Sequence, residues 1–233
     1  NGLGTNGLTA LNLAIPIYSL IHGSGLMFGM GGATKYSIYR GQKEDNNANK
    51  VFSTTIYLVT VFAIIFMLIG IFFSEKLTLL LNADKDVFHM TKTYLQIILL
   101  FAPAFMLNDT LLCFVRNDGN PKLSMISMLT GSFSNIILDY IFIFPLNMGI
   151  FGAVLATGLA PIISLIILSR HLLTKQNQFH FIQLKLSFRL IRIIVSLGIS
   201  SFITEMASGI VIIVFNTIIL HLQGNIGVAA YGV

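Results

Sequence analysis

Three acidic residues fall in stretches that are otherwise too apolar for charge: Asp109, Asp139 and Glu205. Asp139 lies in an apolar run after Pro121, and Asn135 precedes it by four residues, so a helix carries both on one face. If that run crosses a bilayer, an acid there is costly, and its default reading is functional. No lysine or arginine lies within helical reach of Asp139. Low dielectric disfavours a carboxylate without a counter-charge, which suits the group to take up a proton. Alternatively, its oxygens could hold a cation. Either property fits a site that loads and unloads an ion, whereas the plainer reading is a structural hydrogen bond to a neighbouring helix. Glu205 carries the same two readings, with its facing direction open. Asp109, two helical turns before Arg116, reads first as structural or gating, with ion coupling or substrate contact as its other reading. Thr157 offers a neutral oxygen, which in a membrane helix usually bonds its own backbone. His22 reads as a packing histidine.

Other chemistries find no support. There is no metal-ligand pair, no Ser/His/Asp arrangement and no nucleotide motif; GMGG at 29–32 follows no strand and forms no phosphate loop. Cys113 is the lone cysteine and reads as a small buried residue. Arg116 to Gly119 read as a helix stop, with the arginine snorkelling to the interface. No cofactor and no metal are expected, and the protein is not read as an enzyme.

Composition sets the class. The chain of 233 residues is 55% hydrophobic and only 10% charged, with mean hydropathy +0.84. A soluble domain is about 25% charged, so the expected class is an all-α, polytopic membrane helical bundle. The net charge of +5 suggests basic cytoplasmic loops rather than nucleic acid, because no dense basic run with interleaved aromatics occurs.

Hydropathy divides the chain into six spans. Residues 1–8 read as a loop. Helix A is expected at 9–39, with Pro16 near its outer end and glycines making one face small. Helix B is expected at 51–73. Helix C is expected at 93–115, with Pro103 as a kink. Helices D, E and F follow at 123–144, 150–173 and 193–222. Polar loops are expected at 35–50 and 75–92, and part of the basic 170–192 segment reads as an amphipathic interfacial helix. Eleven of the 14 lysines and arginines fall in the A–B, C–D and E–F loops. That bias assigns these loops to the cytoplasm and both chain ends to the outside, which asks for a preceding helix in a longer protein.

Read together, FVRNDGNPKLSM, NIILDYIFIF and MGIFGAVLAT, in that order, resemble the multidrug and toxic compound extrusion (MATE) transporters. The glycine-rich helix A followed by YRGQKEDNNANKVFSTT adds to the likeness, which covers nearly the whole chain. The resemblance implies most of one six-helix lobe plus the first helix of a second. Residues 1–175 would be an N-terminal lobe lacking its first helix, 176–192 the inter-lobe connection, and 193–233 the first helix of the C-terminal lobe. It implies a cation-coupling site from Asn135, Asp139 and Thr157, completed by an acid of a first helix that this sequence does not contain. It also raises Glu205 as a coupling or substrate group, about one turn from the family's glutamate. The implied function is a secondary active multidrug exporter, antiporting amphipathic or cationic organic compounds against H+ or Na+. It would work as a monomer in the bacterial cytoplasmic membrane. A flippase for lipid-linked precursors is the alternative in the same broad fold, and an intramembrane enzyme is a third reading.

Overall fold

The computed structural model describes residues 4–81, 83–183 and 187–231. The described residues form seven helices: α1 (Gly4–Gly41), α2 (Asp45–Leu80), α3 (Lys85–Leu100), α4 (Ala102–Asn117), α5 (Pro121–Ile143), α6 (Gly149–Leu173) and α7 (Phe188–Tyr231). Five are long and apolar enough to cross a membrane, and α3 with α4 makes a sixth span bent by 48°. The chain is thus an all-helical, multi-pass membrane bundle.

The helices outrun the hydropathy estimates. At 1.5 Å per residue the 36 residues of α2 extend about 54 Å, against a hydrocarbon core of about 30 Å. Hydropathy marks where the chain leaves oil, whereas the backbone ladder continues into water wherever helix-forming polar residues follow. The expected 35–50 loop therefore shrinks to a turn at 42–44, and in the 75–92 connection residues 81, 83 and 84 are non-helical, with 82 outside the described residues. The expected loop at 1–8 is helical from Gly4, and its first three residues lie outside the described ones. Pro16 is interior to α1 rather than at its end. The tail after 222 continues α7 to Tyr231. The interfacial helix expected within 170–192 does not form as such. Residues 175–183 are non-helical, 184–186 lie outside the described residues, and Phe188 opens α7.

The break expected at Pro103 is confirmed and has a packing partner. Pro103 sits in the first turn of α4, where its missing N–H costs nothing. The Phe101 ring at the bend fills the space beside Gly158 of α6, where a β-carbon would come within 2.6 Å of it.

Helix α1 is the central post. A β-carbon on Gly29 would lie 2.9 Å from the Thr110 backbone of α4. One on Gly32 would strike Thr55 of α2 at 2.3 Å. One on Gly31 would lie 1.9 Å from the Ile194 carbonyl of α7, and one on Gly198 would lie 1.8 Å from the Met27 carbonyl. Small residues let backbones touch where lipid offers no hydrophobic drive for association.

The three loops expected on one side of the membrane do meet at one end of the bundle. Asp118 is buried there and anchors them. Its carboxylate accepts from the Tyr36 hydroxyl of α1 and from the backbone N–H of Gln178 at 2.8 Å, and it lies 2.9 Å from His171 Nε2 of α6. Asn49 Oδ1 accepts from the His180 N–H at 2.8 Å, and Ser53 Oγ from the Ile182 N–H at 3.0 Å. Phe179 packs against Phe52, Tyr36 and Phe114. Asp118 is thus an internal anchor and not simply part of a helix stop. Replacing Asp118 with Ala strips buried partners from three elements, and breaking such a cluster costs about 3–5 kcal/mol. In the full-length protein, D118A is expected to speed proteolysis within 176–183 at least tenfold, measured by timed digestion in detergent.

Substituting Gly198 with Leu forces α1 and α7 apart. The full-length G198L protein is expected to lose several degrees of thermal midpoint, read by size-exclusion chromatography after heating, because overpacking costs about 1–3 kcal/mol.

Candidate functional site

Helix α5 starts cleanly. Asn120 accepts from the Leu123 N–H at 3.2 Å, and Pro121 occupies the first turn. From that start the helix carries Asn135 and Asp139 one turn apart on the face turned to α6, which it approaches closely at Gly131. Asn135 Nδ2 is buried without a hydrogen-bond partner. Asp139 is half-buried, and among the described residues no basic side chain forms an ion pair with it.

Thr157 of α6 borders two spaces. It lines a cavity of about 530 Å³ with Asn135, and a smaller one of about 160 Å³ with Asn12, Tyr18 and Tyr94. Its hydroxyl donates to the Ala153 carbonyl at 3.0 Å, as a lone membrane threonine is expected to. Tyr94 of α3 faces it across the smaller cavity. The structure therefore brings Asn135 and Thr157 to one cavity, leaves Asp139 one turn along α5 outside its lining, and adds Tyr94 on the other side of Thr157. Sequence reading missed Tyr94 because the bend at Phe101 swings α3 towards α6, and no local pattern reports that.

Asp109 finds a partner other than Arg116. It is buried on α4, and its Oδ2 lies 2.9 Å from His22 Nδ1 of α1, without the alignment of a good hydrogen bond. Arg116 instead reaches the Met30 sulfur at 3.1 Å, near the mouth of the larger cavity. His22 is not the satisfied packing residue its sequence context suggests. Its Nε2 is buried without a partner, although Tyr18 and Phe105 pack on its ring at 4.4 and 5.1 Å. Glu205 of α7 faces α1: its Cβ lies 3.5 Å from where a β-carbon on Gly23 would stand. Cys113 is buried and free, as expected.

The larger cavity is lined by Tyr18, Phe105 and several methionines, with Asp109 and Arg116 as its charged groups. Aromatic and thioether walls with few polar groups suit apolar or amphipathic organic molecules. No group of three or more His, Cys, Asp or Glu suited to a metal ion occurs among the described residues. Replacing Thr157 with Val removes one hydroxyl from the wall facing Tyr94. T157V is expected to destabilise the full-length protein by about 1 kcal/mol, and to weaken ion-dependent stabilisation. Thermal melts with and without Na+, and at pH 6 and 8, check this.

The MatE family model matches residues 1–141. The multidrug export protein MepA of Staphylococcus saprophyticus is 31% identical over 231 residues, covering 97% of this chain and 50% of that protein. MepA of Staphylococcus aureus (strain MRSA252) is 29% identical over 229 residues, with the same coverage. The chain thus spans about half the length of the curated relatives it matches. An inward-facing MATE family transporter of the MOP superfamily superposes with a TM-score of 0.86 at 23% identity, over 99% of this chain and 53% of that one. An outward-facing one gives a TM-score of 0.86 at 22% identity, over 99% and 52%. A family model matched over more than half of the residues, with this shared fold, means that the chain belongs to the MatE family of multidrug and toxic compound extrusion transporters.

Proposed function

We propose that this chain is the ion-coupling half of a secondary active multidrug exporter, antiporting amphipathic or cationic organic compounds against H+ or Na+. One observation carries the reading. Asp139 is a half-buried carboxyl without a basic partner among the described residues, one turn from an unpaired Asn135 amide that lines a cavity with Thr157. A carboxyl so placed changes charge or coordination when an ion arrives, and the neighbouring polar groups must then re-pair. An ion biases a conformational equilibrium only through its differential affinity for the two states. The exporter needs the remaining half of its relatives' length, and alternating access would come from rocking of two lobes around the cavity.

The named relatives, multidrug export proteins, support efflux. The cavity's acid, its aromatic walls and its single arginine at the mouth suit an organic cation better than the strongly cationic cavity that an anionic lipid-linked precursor would need. An intramembrane protease would need two facing acids, whereas Asp109 contacts His22 and Asp139 lies outside the cavity that Asp109 lines. We place the full-length protein in a bacterial cytoplasmic membrane, acting as a monomer and without a cofactor.

The test is Asp139→Asn in the full-length protein. D139N is expected to cut gradient-driven efflux of a fluorescent organic cation at least tenfold, with membrane expression unchanged. Wild-type efflux rates would remove Asp139 from the coupling site.

A further inference from the structure

We infer that His22, held between Asp109 of α4 and Glu205 of α7, is a second proton-binding site, separate from Asp139, whose occupancy controls the contact between α1 and α7. The inference rests on the antiport reading above and deepens it, adding a protonatable group on a different set of helices.

The geometry leads there in four steps. His22 Nδ1 is the ring nitrogen in contact with the carboxylate, 2.9 Å from Asp109 Oδ2, as a charge contact rather than an aligned hydrogen bond. Nε2 then holds a lone pair, buried and without a donor. Such a lone pair is costly to leave unmade, and a proton resolves it by creating an imidazolium. The resulting charge has anions on two sides. Asp109 is in contact, and Glu205 of α7 packs at the Gly23 notch, one residue along α1 from His22.

The groups facing His22 can be named by element. Tyr18 is on α1 itself, with Tyr94 of α3 behind it. Asp109 is on α4, with Cys113 and Arg116 one and two turns further along, and Glu205 is on α7. Arg116 points away to Met30, so the nearby set holds two acids and one ionisable imidazole. Without a proton on His22, Asp109 has no cationic partner among the described residues. With it, one imidazolium ties α4 to α1 and draws α7 inwards.

That difference acts where the helices are closest. Gly31 and Gly198 put the α1 and α7 backbones in direct contact two to three turns away, and Phe202 packs on Gly23. The protonated site favours this closed contact, and the deprotonated site favours its opening. The proton has a route, because His22 and Asp109 both line the 530 Å³ cavity. The step is a simple transfer: Nε2 takes one proton from water in the cavity and returns it when α7 moves away.

The experiment uses the full-length transporter in proteoliposomes. H22Q is expected to reach the membrane at the wild-type level. It is also expected to flatten the efflux rate between pH 5.5 and 7.5 to less than a twofold change, where wild type varies about tenfold. E205Q is expected to weaken the same dependence. In parallel, histidine-ring NMR of the wild-type protein is expected to show one buried imidazole titrating between pH 5 and 8, with its signal assigned by its absence in H22Q. This arm needs no active variant, and D109N should shift that titration. A wild-type pH profile in H22Q, or a ring that does not titrate between pH 4 and 9, overturns the proposal. D139N separates the two claims: wild-type efflux in D139N sinks the Asp139 assignment alone, while the His22 titration stands or falls by its own signal.

Discussion

Direct backbone contact between α1 and its neighbours is the constraint from which the site geometry follows. In a bilayer the lipid tails are as apolar as leucine, so helices associate through close packing and polar contacts. Gly25 and Gly29 bring α1 against α4, Gly32 brings it against α2, and Gly23 and Gly31 against α7. A β-carbon on Gly25 would already lie 3.0 Å from Asp109 Oδ2. The same small residues that allow packing therefore place a buried carboxylate beside His22. Larger residues in their place would open the distances and leave both ionisable groups stranded.

Two polar clusters in this bundle show opposite logic. At the end where the basic loops meet, both oxygens of Asp118 are engaged, by Tyr36, His171 and Gln178 from three elements. A carboxylate so fully partnered rigidifies its surroundings, and it ties the extended 176–183 segment to the helix ends. Within the membrane span, Asn135 Nδ2, His22 Nε2 and Asn108 Oδ1 are buried without partners. Unmade hydrogen bonds of this kind are costly in low dielectric. They persist where another arrangement, or an incoming ion, completes them. The two clusters differ in how far their acids are partnered: Asp118 is engaged at both oxygens, although His171 Nδ1 beside it is unpaired.

The bend between α3 and α4 links two polar regions of the bundle. It lets one span contribute Tyr94 near Thr157 and Asp109 near His22, at different depths of the bundle. Phe101, wedged against Gly158 beside Thr157, fixes the bend at the point where the two regions approach each other.

What the sequence determined by itself was the class and the cast. A chain with 10% charge has to put its spans in lipid, and the distribution of lysine and arginine grouped the loops that do meet at one end. The four-residue spacing of Asn135 and Asp139 fixed their common face, because helical periodicity is local. Span existence was legible for the same reason, while helix ends were not, since hydropathy reports contact with oil rather than continuity of the backbone. The partners of the ionisable groups belonged to the tertiary structure alone. Asp109 looked nearest to Arg116 along its own helix, yet it meets His22, 87 positions away in the chain. Asp118 looked like part of a helix stop and became a hub, and the facing of Glu205 was settled by a glycine on another helix. Such pairings depend on which backbones can touch. That is a property of packed surfaces in three dimensions, and no window along the chain contains it.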